Sequence, residues 1–424
     1  MRVVQLDSEE GRRLRLRLES RALSDLQAVT PAVTEILNEI RNRGEKALTA
    51  YAERWDGLQP AQPLRVTQDE MKSALAALAP RTRDALSVSA ANIRSFAELQ
   101  LPQTRLVETQ SGVTLGQVVR PLDAVGCYVP GGRYPLPSTL LMTVIPAQVA
   151  GVKRIVVCSP RPSEATLAAA ALLGVSEFYR IGGAHAVAAM TFGTERILAV
   201  DKIVGPGNQY VTAAKKQVAE SGAVAIDMLA GPTEALILSR TGNPRFVAAD
   251  LVAQAEHDPQ ACSLFLTTRA DLAKSVARIV DELTANNPTA REAIDLNGAA
   301  IVTRTWEEAL VLANEIGSEH LTLDDEKDLE RITCAGSIFI GDYSAQPLGD
   351  YVSGPNHVLP TAGTARYRGG LSAADFVKLI SVQKVSRSAY EQLAPVAETL
   401  AEVEGLAGHR FALEVRREQA VASA

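Results

Sequence analysis

The sequence predicts an α/β protein with mainly parallel, doubly wound sheets. Short apolar strands alternate with Ala-rich helical stretches from Val152 onward, and the alternation starts afresh near residue 235. Upstream, Val33, Ile36, Leu37, Ile40, Leu48 and Tyr51 recur at three- to four-residue spacing. That period marks one or two amphipathic helices over 33–57, which Gly44 interrupts only locally. A second helical stretch covers about 68–99, and LVETQSGVTLGQVVRPLDAVGCYV reads as a small strand pair with glycine turns. KRIVVCS, EFYRIGG, DKIVGPGN and AVAIDM are the strands of the first α/β set. ALILS, SLFLTT, GAAIVT and GSIFIG belong to the second, separated by helices around 245–257, 271–286 and 306–317. Two sets imply two sheets, with ligands expected at the C-terminal strand ends. Residues 341–370 are Gly- and Pro-rich, a long loop of the functional or linker kind, and the tail from about Ser372 reads as helical.

At roughly 150 residues per domain, 424 residues make two to three domains. Lys plus Arg is 43 against 49 Asp plus Glu, a formal charge of −6 with no long run of one sign. That argues against a general nucleic-acid or acidic-membrane surface, which needs clustered positive charge. Cys127, Cys158, Cys262 and Cys334 are widely spaced with no CxxC pair, so a reducing cytoplasm is the expected compartment. The N-terminus carries charges throughout, unlike a secretory signal, and no run of eighteen apolar residues suggests a membrane span. Among hydrolase and nucleotide motifs, G-x-S-x-G, the Walker loop and H-E-x-x-H are missing. Cys158 and Cys262 sit in or at apolar strands, where thiols are inert.

Five histidines remain, at 185, 257, 320, 357 and 409. Gln254 and His257 are spaced to share a helix face, as metal ligands or as an ordinary helix end whose His meets the last carbonyls. Glu319 and His320 adjoin after a helix and can supply two proton-transfer groups, or simply a polar cap. Asp350, in LGDYVSGPNHVLPT, is an oxygen donor suited to zinc or an Asx turn beside Gly, and His357 reads as loop packing. His409 lies in EGLAGH with Glu404, where a lone tail His is ordinarily solvated. Tyr128 precedes Gly131 and Gly132, and Asn208 ends GPGN. Both turns offer backbone N–H groups to phosphates without matching G-x-G-x-x-G.

Taken in order, YVPGG, GGAHAVAAM, VDKIVGPGN, IDMLAGPTE, QAEHDP, SEHL, GDYVSGPNHVLPT and EGLAGH resemble histidinol dehydrogenase from about Ala32 to His409. The resemblance implies two incomplete Rossmann-like doubly wound domains with helical N- and C-terminal arms, in a domain-swapped homodimer. It divides the chain into an arm (1–21), a discontinuous α/β domain (22–126 plus 232–370), an inserted NAD-binding domain (127–231) and a C-terminal dimerisation arm (371–424). It further implies one zinc per subunit, held by Gln254, His257, Asp350 and His409, the last reaching across to the partner. By the same resemblance Glu319 and His320 are the acid/base pair of the NAD-dependent oxidation of L-histidinol to L-histidine. Thr233 and Glu404 join His320 and the zinc ligands as substrate contacts, and Tyr128, His185 and Asn208 contact NAD. Three positions depart from the family pattern: His185 replaces Gln, Thr233 replaces Ser, and Gly317-Ser318 replaces Ala-Pro. The rival is a related dehydrogenase of the same scaffold that oxidises another small polar alcohol, such as a sulfonated diol. A relic that only binds metal or nucleotide is the other alternative: turnover of histidinol favours the first reading, turnover of a diol the rival, and a loss of rate in His320→Asn excludes the relic.

Overall fold

The computed structural model describes residues 1–19, 26–131 and 134–422. Gly132 of the YVPGG turn and the last residues of the expected 1–21 arm lie outside the described residues. The chain forms two compact units, Met1–Leu101 with Leu122–Phe376, and Pro102–Pro121 with Val377–Ala424.

The first unit holds two parallel sheets. One has five strands in the order β6-β5-β4-β7-β8 (Glu177–Tyr179, Arg154–Cys158, Ala124–Tyr128, Lys202–Val204, Ala225–Ile226). The other has six, β1-β11-β10-β9-β12-β13 (Arg2–Gln5, Ala299–Val302, Cys262–Thr267, Glu234–Leu238, His320–Leu323, Ser337–Ile340). β4 and β9 are central and buried along their whole length, as an apolar run between two helical layers must be. Helix Gly183–Phe192 packs so closely on β4 that a Cβ at Gly126 would stand 2.4 Å from Met190 Sδ. In each sheet the strand order reverses beside the first strand of its set, β4 or β9, which opens a crevice at the C-terminal ends.

The crevice of the six-stranded sheet is nearly closed. At the end of β9, Asp324 Oδ2 accepts from the backbone N–H of Arg240 (2.7 Å) and Thr241 (3.2 Å), and about 30 Å³ is left between the strand ends.

The second unit is an antiparallel sheet in the order β14-β3-β2 (Val377–Val385, Val113–Pro121, Arg105–Gln110), followed by helices Arg387–Val403 and Ala407–Ala422. β2 (Arg105–Gln110) and β3 (Val113–Pro121) form the expected hairpin, turned at Gly112 with φ +77°. Several expectations need correction. The tail is not helical throughout, because Val377–Val385 is β14, paired with β3 along all nine residues. Four of its residues are valine or isoleucine with lysine interspersed, a composition that favours a pleated edge over a helix. Ala124–Tyr128 leaves the hairpin and starts the five-stranded sheet. The N-terminal arm is not purely helical: Arg2–Gln5 adds an edge strand to the six-stranded sheet before helix Glu9–Glu19. Strand β12 and helix Pro288–Asn297 were also not expected, since four or ten residues with polar ends carry a weak periodic signal.

Candidate functional site

The cleft is built where the six-stranded sheet presents the N-terminal ends of two neighbouring strands. Glu234 opens β9 and His320 opens β12, and the register sets His320 opposite Ala235. Glu319 precedes His320 directly. The turn that delivers them starts at Gly317, which ends helix Trp306–Ile316 at φ +53°, a conformation natural to glycine. Ser318 Oγ then donates to the His320 carbonyl (3.0 Å), and the Ser318 carbonyl accepts from Gly336 N–H (2.9 Å). The departure at Gly317-Ser318 therefore still leaves a tied turn.

Glu319 is buried and held from two sides: Oε2 accepts from Thr233 Oγ1 (2.6 Å) and from Glu234 N–H (2.9 Å). Burial raises its pKa above the ordinary carboxylate range, against the opposing pull of His320, Thr233 and the Glu234 N–H. His320 is 3% exposed, with Nδ1 3.3 Å from the Glu234 carbonyl and Nε2 3.4 Å from Asp350 Oδ1. Burial disfavours its charged form, but the carboxylates of Glu319 and Asp350 outweigh that and raise its pKa. Burial likewise opposes the Asp350 carboxylate, and the hydrogen bond with His320 brings its pKa below the usual value.

Gln254, 1% exposed, points Oε1 at Thr233 Oγ1 (3.1 Å) and Nε2 at Asp350 Oδ2 (3.4 Å). His257 stands just past the end of helix Pro244–Ala255, with Nδ1 3.0 Å from the Ala253 carbonyl. This is the helix-end contact weighed above, and it leaves Nε2 facing outward, as in an imidazole ligand oriented by a backbone carbonyl. Asp350 sits on a short helix, Gln346–Tyr351, inside the loop expected over 341–370. His357 lies beneath it, Nδ1 2.8 Å from the Asp350 carbonyl and Nε2 3.3 Å from Thr139 Oγ1.

Thr233, Gln254, His257, Glu319, His320, Asp350 and His357 thus line one cleft of about 200 Å³, together with Gly205, Pro206, Asp227 and Met228. Glu404 and His409 belong to the second unit, where they line a groove between its two helices with Tyr390, Leu400 and Leu413. Among the described residues no group of three or more His, Cys, Asp or Glu side chains is gathered to hold a metal. The donors in the cleft still suit zinc: an imidazole with a free Nε2, a carboxylate and an amide oxygen, leaving a fourth position open.

The expected cofactor contacts lie around the C-terminal ends of β4 and β7. Tyr128, the last residue of β4, is buried, and its hydroxyl accepts from Gly183 N–H (3.2 Å). Asn208 caps helix Gln209–Glu220, Oδ1 accepting from Tyr210 and Val211 N–H at 3.0 and 3.2 Å, and remains exposed. His185 is 2% exposed and engaged inward: Nε2 lies 2.7 Å from Asp56 Oδ2, which also accepts from Gly182 N–H. Its Nδ1 is buried without a partner among the described residues. Glycine turns that start helices at strand ends, together with an orphaned ring nitrogen, suit a phosphate-bearing cofactor. The sequence does not single out Asp56 and Glu234, whose partners lie far along the chain, nor Lys215 and Asp227, which pair across 12 residues with no shared helical spacing.

Asp250, one helical turn before Gln254, shows burial without chemistry. Desolvation pushes its carboxyl up to about 6, and the Gln346 N–H opposes the rise. The folded state then binds an extra proton between about pH 4 and pH 6, so stability falls as pH rises through that window. Asp250→Asn is expected to raise Tm by on the order of a degree or two at neutral pH and to change nothing at about pH 4. Scanning fluorimetry at both pH values checks this, and an equal gain at both would contradict it.

A family model for histidinol dehydrogenase matches residues 19–417. The chain belongs to the histidinol dehydrogenase family. The histidinol dehydrogenase of Geobacillus kaustophilus is 46% identical over 400 residues, spanning 92% of this chain and 94% of that protein. That of Methanopyrus kandleri is 43% identical over 417 residues, spanning 95% and 97%. A crystal structure of histidinol dehydrogenase from Elizabethkingia anophelis matches with a TM-score of 0.93 at 37% identity, covering 99% of this chain and 98% of that one. Membership of the histidinol dehydrogenase family makes the chain an oxidoreductase of histidine biosynthesis. No helix among the described residues is long and apolar enough to cross a membrane.

Proposed function

We propose that this chain is a zinc- and NAD-dependent cytoplasmic enzyme that oxidises L-histidinol through L-histidinaldehyde to L-histidine. The observation that carries the reading is the buried Glu319–His320 pair, held against Thr233 in the cleft that also gathers Gln254, His257 and Asp350. Gln254, His257 and Asp350 would hold zinc together with His409 of a swapped partner's tail, and Glu404 would meet the substrate from that same tail. Tyr128, Asn208 and His185 would contact NAD within an inserted domain, 127–231, while 22–126 plus 232–370 carries the chemistry. Residues 1–21 and 371–424 serve as dimer arms. The apolar side chains exposed on the C-terminal unit, among them Leu379, Leu393, Val396, Val403 and Phe411, support such a pairing.

Zinc held there would supply an anchor for the substrate, and NAD would supply the hydride acceptor for both oxidations. His320 takes the alcohol proton, with Asp350 and the Glu234 carbonyl fixing its ring. Glu319, its pKa raised by burial, takes a proton from water as that water adds to the aldehyde carbon. His320 returns its proton to the aldehyde oxygen as the water adds, and then takes a proton from the hydrate as that becomes the carboxylic acid. Thr233 keeps Glu319 aimed, the hydroxyl doing this in threonine as in serine.

Purified protein with histidinol and NAD tests the reading. Two NADH per histidine are expected, with activity lost on chelation and restored by zinc. No NADH at millimolar histidinol, or full activity without metal, would overturn it.

A further inference from the structure

Lys215 and Asp227 form an ion pair that the chemistry above does not use, and both side chains are almost fully shut from water, at 3% and 0% exposure. A buried pair of this kind contributes little net stability, so what it holds is the informative point. It holds a single residue from both sides. Lys215 Nζ donates to the Gly205 carbonyl (2.9 Å), and Asp227 Oδ2 accepts from the Gly205 N–H (2.7 Å). Asp227 Oδ1 takes the Lys215 ammonium and the Met228 N–H, which completes its shell. Gly205 has φ +112°, and a Cβ there would stand 2.1 Å from the Tyr128 carbonyl. The pair therefore clamps a turn that only glycine fits against the end of β4, at the point where the strand order reverses.

Two segments leave that clamp. Pro206 and Gly207 lead in three residues to Asn208 and the start of helix Gln209–Glu220. From Asp227 the chain runs six residues to Thr233, whose hydroxyl aims Glu319. Gly205, Pro206, Asp227 and Met228 also form wall of the cleft that Glu319 and His320 line.

We infer that Lys215 and Asp227 are a positioning pair that sets the cofactor-binding turn at Gly205–Asn208 relative to the Glu319–His320 centre. The inference rests on the NAD reading proposed above. Both side chains are shut from solvent and bonded to Gly205, so the pair acts through the backbone of Gly205.

The test is equilibrium binding of NAD to the zinc-loaded protein, by calorimetry, alongside Tm without NAD and steady-state KM and kcat. Lys215→Met and Asp227→Asn each strand one buried charge and can cost folding. The Lys215→Met/Asp227→Asn double variant strands none and is the deciding protein. It is expected to fold with a Tm close to that of the parent, to bind NAD about tenfold more weakly, and to show a matching rise in KM for NAD. NAD affinity within twofold of the parent would overturn the inference, whether or not Tm falls. A double variant too unstable to purify would also overturn it, since the pair would then be a support of the fold. Failure of the parent itself to bind NAD would instead remove the cofactor reading.

Discussion

His320→Asn is expected to lower kcat for histidinol oxidation by about 10²–10⁴-fold, the usual contribution of a positioned general base. Asparagine is close in size and still offers a donor toward the Glu234 carbonyl, which His320 Nδ1 approaches at 3.3 Å. It has no group that takes a proton near neutral pH. The loss therefore belongs to chemistry if folding is unchanged by circular dichroism and zinc content stays at one per subunit. An unchanged kcat would refute the role of His320, and a loss of zinc along with rate would assign the residue to metal retention.

The second large effect falls on one half of the reaction. Glu319→Gln keeps an oxygen that accepts from Thr233 and the Glu234 N–H but removes the proton acceptor. Oxidation of supplied histidinaldehyde is expected to fall about 10²-fold or more, and histidinol to aldehyde much less. The pH dependence carries the sign. Burial raises the Glu319 pKa, so its basic form is lost as pH falls through a value above the ordinary carboxylate range. The parent should show that acid limb in the aldehyde reaction, and the glutamine variant should not. An acid limb of equal position in both proteins would assign it to another group.

Much of this was legible in the sequence, for identifiable reasons. Strands such as ALILS and SLFLTT are nearly continuous apolar runs, because both faces of a parallel sheet are covered, and the helices between them keep a clear period. Ser318-Glu319-His320 is contiguous, so its pairing needs no tertiary knowledge. β14 is hidden in the sequence because an edge strand of mixed lysine and valine has neither a buried run nor a clean alternation. The inward turn of His185 escaped notice for another reason. Its partner Asp56 lies 129 residues away, and nothing in the pattern near either residue announces the other. Lys215 and Asp227 are only 12 residues apart, yet one is in a helix and the other follows a two-residue strand, so no helical spacing links them.

The two parallel sheets are used from opposite poles. The five-stranded sheet offers its C-terminal crevice, while the six-stranded sheet offers the N-terminal ends of β9 and β12 and keeps its own crevice sealed by Asp324. The loops directly beyond β9 and β12 thereby carry none of the residues gathered in the cleft, whereas the one beyond β13 delivers Asp350. Insertions or exchanges of surface residues in the first two face only the demands of folding and packing, which makes those loops the natural place to graft a tag, a linker or a second domain onto this scaffold.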